Sequence, residues 1–142
     1  IYEIQRIKQV IKEETVEKNI IRTPEDGAKI ARKFIGEDDR EIFFVMCLNT
    51  KNKVVAVHRA HVGSLNASIV RPADVFKAAI LNNSASIVVC HQHPSNNCSP
   101  SYEDVRITAR LVEVGRMIDI DVLDHIIIGG SNFVSLKEHG YI

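Results

Sequence analysis

Ser86-Ile87-Val88-Val89-Cys90-His91-Gln92-His93-Pro94-Ser95-Asn96-Asn97-Cys98-Ser99-Pro100-Ser101-Tyr102-Glu103-Asp104 is the stretch on which the fold turns. Ser86 to His91 is a short apolar run without polar alternation, as expected of a strand buried on both faces. A loop of Pro, Ser and Asn follows from Gln92 to Pro100. From about Ser101 to Met117 the apolar residues recur at helical spacing, which predicts Val105, Thr108, Leu111, Val112 and Gly115 inward. Strand, loop and helix in that order build a sheet covered by helices.

The flanking sequence extends this pattern. Ile42 to Leu48 is an unbroken apolar run, a second strand buried on both faces. The polar turn Asn49 to Lys53 leads into Val54 to Val62, its hairpin partner, which Gly63 breaks. Pro72 opens a helix with Val75, Phe76, Ala79 and Ile80 on one face, closed by Asn82 and Asn83. Thr23-Pro24-Glu25-Asp26 supplies an N-cap, a first-turn Pro and an acid three residues on. The helix it starts buries Ala28, Ile30, Ala31, Phe34 and Ile35 and ends at Gly36. Ile120 to Ile128 is a strand, and the turn Gly129-Gly130-Ser131-Asn132 leads to a last one at Phe133-Val134-Ser135. Ile1, Ile4, Ile7, Val10 and Ile11 fit a helical face, but a charged edge strand fits the same residues. The expected fold is α/β, a single mixed β-sheet sandwiched by helices. It forms one domain over residues 1–142, with 1–22 an N-terminal extension that is either strand or helix.

Composition narrows the function. The chain has 142 residues, 45% hydrophobic and 25% charged, which excludes long disorder. Eighteen Lys and Arg balance eighteen Asp and Glu, so overall charge gives no pull toward nucleic acid or an anionic membrane. Residues 41–80 carry five basic and two acidic groups, an ordinary solvated face. Three cysteines, an odd number, do not make a disulfide framework and fit a reducing, cytoplasmic setting. No apolar run is long enough for a membrane span, and charges at Glu3 and Arg6 interrupt any signal-like stretch.

The chemistry concentrates between residues 91 and 104. On extended backbone His91 and His93 point to one side. Asp104, in the first turn of the helix, can point back at them. Two imidazoles and a carboxylate with a position left for water are the donor set of a catalytic zinc. An ordinary capping box from Ser101 to Asp104 and packed histidines would leave the same sequence. Spacing alone leaves both readings open. Cys90 should point away from His91 into the core. Cys98 is either a loop thiol or a thiolate near the metal's open position. His58 and His61, three residues apart, are expected on opposite faces of their strand.

His-x-His, seven residues, Ser, two residues and Asp, here His91, His93, Ser101 and Asp104, resembles the JAMM motif of JAB/MPN metalloproteases. More narrowly the chain resembles the RadC family. The matching stretches are Asp39-Arg40-Glu41, Val62 to Val70, His91 to Asp104, Val122 to Gly129 and Phe133 to Leu136. The resemblance implies a JAB/MPN, cytidine-deaminase-like architecture and one zinc ion held by His91, His93 and Asp104. It implies a hydrolase of peptide or isopeptide bonds. Glu41 would take a proton from the activated water and pass it to the leaving amine. Its place at the head of a buried strand would favour a raised carboxyl pKa. Ser101 would donate to the developing oxyanion. His125 would either stand behind the metal or be a packed, hydrogen-bonded core residue.

The family's DNA-repair label implies instead a nucleic-acid-associated accessory protein, which the zero net charge opposes. A catalytically silent interaction domain is a third expectation, and exposed strands could pair two copies. Ser95-Asn96-Asn97-Cys98 stands where the family typically has Ser-Gly-Asp-Pro, and Arg71 stands where His is common. Because Gly reaches backbone angles that Asn adopts less freely, the expectation is an altered loop.

Overall fold

A computed structural model describes residues 1–142. It contains α1 (Pro24–Ile35), β1 (Ile42–Leu48), β2 (Val54–Val62), α2 (Pro72–Leu81), β3 (Ser86–Gln92), α3 (Tyr102–Met117), β4 (Asp121–Gly129) and β5 (Asn132–Ser135). Five strands form one sheet in the order β2-β1-β3-β4-β5. β1 runs antiparallel to β2 and β3, β3 and β4 are parallel, and β5 returns antiparallel to β4. The parallel pair is joined by α3, since parallel neighbours need a long crossover. The expected mixed sheet sandwiched by helices is therefore the fold.

The apolar runs explain the layers. Every residue of β1 and β3 is buried. Alternation sends Phe44, Met46, Leu48, Val88 and Cys90 toward α1, and Phe43, Val45, Cys47, Ile87 and Val89 toward the opposite core, where α2 and α3 pack. Cys90 thus points away from His91, as alternation requires.

Helix starts follow their caps. Thr23 Oγ1 accepts from the Asp26 amide at 3.3 Å, and Asp26 Oδ2 accepts from the Thr23 amide at 3.0 Å. Ser101 and Asp104 form the same reciprocal box at the head of α3.

Several expectations shift. Residues 1–19 lie in neither helix nor strand, and only Ile20 bridges to Lys53. Ile4, Ile7, Val10 and Ile11 are exposed, and a short helix without a packed face is marginal in water. Ile80 is 56% exposed, because the buried face of α2 is Val75, Phe76 and Ala79. In α3, Ile107 fills the core where Val105 and Val112 were expected, and those two are half-buried. A register shift between Phe43 and Phe44 sets His58 opposite Val45 and His61 opposite Phe43. Phe43 and Val45 face the same core, so both imidazoles lie on one face rather than on opposite ones.

Antiparallel pairing of β1 with β3, with Phe44 opposite Cys90, puts the start of β1 at the sheet edge where β3 ends. Glu41 precedes that start and His93 follows that end. α3 begins at the same edge, on the side of the sheet's carboxyl-terminal strand ends, where open α/β sheets place ligands.

Candidate metal centre

His91 and His93 leave the end of β3 on one side, and Asp104 meets them from the first turn of α3. His91 Nε2 lies 3.2 Å from Asp104 Oδ1, His93 Nε2 lies 3.2 Å from Asp104 Oδ2, and the two Nε2 atoms are 3.0 Å apart. Donors about 2.0–2.1 Å from a tetrahedral cation stand roughly 3.3 Å from one another, so the two Nε2 atoms and the carboxylate oxygen that faces each have the spacing of one metal shell. The set could hold a metal ion.

Hydrogen bonds aim each donor. His93 Nδ1 donates to the Asn97 carbonyl at 2.7 Å, which turns Nε2 toward Asp104. Asp104 Oδ2 accepts from the Ser101 amide at 2.8 Å, and Ser101 Oγ accepts from the Asp104 amide at 3.1 Å. The capping box and the ligand set are one geometry: the N-terminal cap orients the carboxylate that faces the imidazoles. Asp104 and His91 are almost fully buried, and His93 is half-buried.

The electrostatics agree. Burial alone would raise the Asp104 carboxyl, but its bonds to His91, His93 and the Ser101 amide outweigh this and hold it well below the usual carboxylate range. The hydrogen bond from Asp104 raises the pKa of His93 against the opposing effect of burial, and the Asn97 carbonyl and the Glu41 charge add to the rise.

His125, on β4, lies directly behind His91, with its Nε2 2.8 Å from His91 Nδ1. It is both packed and hydrogen-bonded, and it touches a candidate ligand. Burial pushes its pKa well below the ordinary imidazole value. Phe43 packs against both rings, with centroids 6.2 Å from His91 and 5.5 Å from His125.

Glu41 and Ser101 reach the same place. A cavity of about 420 Å³ is lined by Glu41, Leu65, His93, Pro94, Ser95, Ser101 and Asp104. Glu41 is half-buried and Ser101 exposed. Gln92, read from sequence only as the first residue of a loop, proves to be the last residue of β3 and 4% exposed. Its Oε1 accepts from the Ile42 amide at 3.0 Å and its Nε2 donates to the Arg40 carbonyl at 2.6 Å, bracketing Glu41. No periodicity signals this, because the bonds are made by a side chain at the point where the regular ladder stops.

One of the loop departures has a structural account. Asn96 adopts φ 65°, the left-handed region, and so takes the conformation that Gly would supply. Cys98 belongs neither to the donor group nor to the cavity lining. Burial pushes the Cys47 thiol up to about 11, and that of Cys90 higher still. No helix is long and apolar enough to cross a membrane.

A family model described as the RadC-like JAB domain matches residues 21–141. Curated relatives carry the name UPF0758 protein. One from Geobacillus sp. (strain WCH70) is 51% identical over 123 residues, 87% of this chain and 54% of the relative. One from Roseiflexus castenholzii is 49% identical over 120 residues, 84% of this chain and 52% of the relative. One from Methanosarcina barkeri is 42% identical over all 142 residues, which make up 61% of that protein. The chain thus spans between half and two thirds of the length of these relatives. The family match runs through every helix and strand described above and contains all three donors, and the chain belongs to the RadC-like JAB domain family.

Proposed function

We propose that this domain is a zinc-dependent hydrolase that cleaves a peptide or isopeptide bond. The observation that carries the reading is a single open cavity lined at once by His93, Asp104, Glu41 and Ser101. Two imidazoles and one carboxylate suit zinc better than the harder Mg²⁺ or Ca²⁺. When bound, zinc would supply a Lewis acid that acidifies water and polarises the scissile carbonyl.

The remaining steps fall to the protein's own groups. Glu41 accepts the proton of the attacking water at its carboxylate and returns it to the leaving amine. The Gln92 carboxamide keeps the backbone on both sides of Glu41 in place for that exchange. Ser101 Oγ already accepts from the Asp104 amide, so its single proton is free to donate to the oxygen on which charge develops. Leu65 and Pro94 supply apolar wall beside these groups.

Metal analysis of the purified protein, followed by cleavage assays on peptide and isopeptide panels, tests the proposal. One zinc per chain is expected, lost in His91→Ala and Asp104→Asn. Glu41→Gln is expected to keep the zinc and lose cleavage by at least a hundredfold, about the lower bound for a general base. Absence of zinc in the wild type would defeat the metal reading. Zinc without any Glu41-dependent cleavage would leave a structural site.

A further inference from the structure

Behind the donor set lies a chain of buried hydrogen bonds that the hydrolytic reading does not use. Thr108, on α3 and fully buried, places its Oγ1 2.7 Å from the Asp104 main-chain oxygen and 2.6 Å from His125 Nδ1. His125 Nε2 is 2.8 Å from His91 Nδ1, and His91 Nε2 faces Asp104 Oδ1 at 3.2 Å. The path starts on Asp104, passes through two residues of the core, and comes back to Asp104 through His91.

Proton counting gives the path a direction. A hydroxyl has one proton, and a carbonyl oxygen can only accept. The Thr108 proton therefore goes to the Asp104 oxygen, and Thr108 Oγ1 must accept from His125 Nδ1. His125 is a fully buried imidazole with no carboxylate oxygen against it, so it is neutral and carries its one proton on Nδ1. Its Nε2 then has only a lone pair and must accept from His91 Nδ1. In the neutral form that can bind a cation, His91 is then left with a bare Nε2, the nitrogen that faces Asp104 and His93; its hydrogen bond to Asp104 Oδ1 at 3.2 Å takes a second proton, which a metal would replace.

We propose that Thr108 and His125 are positioning residues that fix His91 as its Nδ1–H tautomer, so that the Nε2 lone pair is ready for the metal. The inference rests on the metal-centre reading. Imidazole ligands usually donate their second N–H to a carboxylate, a carbonyl or water. Here the acceptor is a second imidazole, and that imidazole's own tautomer is set by a hydroxyl anchored to the backbone of another ligand. The ligand helix and the ligand strand thereby become one hydrogen-bonded unit. If Thr108 lost its hydroxyl, His125 would be free to carry its proton on Nε2 and donate to His91. His91 would then carry a proton on Nε2, bonded to Asp104, which a metal would have to displace.

Nitrogen-15 correlation spectra of the imidazole rings in the metal-free protein, with zinc affinity measured by chelator competition, test this. Wild type should show His91 protonated at Nδ1. Thr108→Val, nearly isosteric, should move that proton to Nε2 and weaken zinc binding about ten- to a hundredfold. Thr108→Ser, which keeps the hydroxyl, should retain both the wild-type tautomer and an affinity within about threefold of wild type, well short of that loss. A folded Thr108→Val protein with unchanged tautomer and affinity would overturn the relay. So would a wild-type spectrum with His91 protonated at Nε2 and not at Nδ1, a result that stands even if Thr108→Val does not fold. A wild type that binds no zinc would overturn the metal centre instead, while the metal-free spectra would still decide the relay.

Discussion

The Gln92 carboxamide takes the place of a main-chain ladder bond to Ile42. Regular pairing of β1 with β3 ends at Phe44 opposite Cys90, and the Ile42 amide is then satisfied by Gln92 Oε1 at 3.0 Å. The middle residue of His91-Gln92-His93 faces away from the donors and holds the segment that carries Glu41.

Gln92→Leu should therefore leave the Ile42 amide and the Arg40 carbonyl without their side-chain partner. A loss of about 1–3 kcal/mol in unfolding free energy is expected, read from urea denaturation. Zinc binding should persist, because no donor changes. Cleavage should fall with the loss of order at Glu41. Unchanged stability would show that water replaces the carboxamide at no cost.

Zinc affinity should rise with pH. His93 has a raised pKa in the metal-free protein, first through its hydrogen bond with Asp104, so its proton competes with the cation up to a pH above 6.5. Titrating chelator-competition affinity from pH 5.5 to 8 should give about a tenfold weakening per pH unit on the acid side of that transition, one proton being released. A flat profile would argue that His93 is not a ligand.

The same pair sets how metal-free stability depends on pH. A raised His93 pKa gives stability that is fully present below its unfolded value of 6.5 and is lost as pH climbs through the higher folded value. A depressed Asp104 pKa gives stability that is present above 3.8 and is lost as pH falls through the folded value. Metal-free protein should accordingly show its greatest contribution from this pair between about pH 4 and pH 6.5, declining from there up to the raised His93 value. In Asp104→Asn the melting temperature should no longer fall as pH climbs through that transition.

Gly129→Ala should disturb the loop that aims His93. A Cβ there would stand 2.8 Å from both the Asn96 oxygen and the Cys98 nitrogen, which are backbone atoms with little room to move. The Asn97 carbonyl between them holds His93 Nδ1. About 1–3 kcal/mol of destabilisation is expected from thermal unfolding, together with weaker zinc binding.

Asn96 offers a paired comparison. At φ 65°, Asn96→Ala should cost about 1 kcal/mol, whereas Asn96→Gly should be close to neutral. Equal stability of the two variants would mean that the loop rearranges.

Much of this was legible in the sequence. Unbroken apolar runs gave β1 and β3, and the Thr23-Pro24 and Pro72 signals gave the helix starts. Spacing brought His91, His93 and Asp104 together as candidates, because strand alternation and a helix's first turn are local properties. It left packed histidines and a capping box equally open, and the family resemblance favoured the metal. What escaped depended on contacts remote in the chain. Gln92 looks like an ordinary polar residue until β1 is laid beside it. Thr108 was expected inward, but its partner His125 sits on β4, beyond the end of the helix. His58 and His61 were assigned by strict alternation, which one register shift undid. Ile4 to Ile11 has apolar residues at helical spacing, but they are exposed, its one side-chain bond being from Asn82 to Gln9, and it takes no regular form.

All three candidate donors lie between His91 and Asp104, a continuous strand–loop–helix segment, whereas Glu41 stands just before β1, fifty residues ahead of His91. The two capacities can therefore drift apart in descent. On the proposed function, a single codon change at Glu41 would leave a descendant domain still folded and still able to hold an ion, but without hydrolysis.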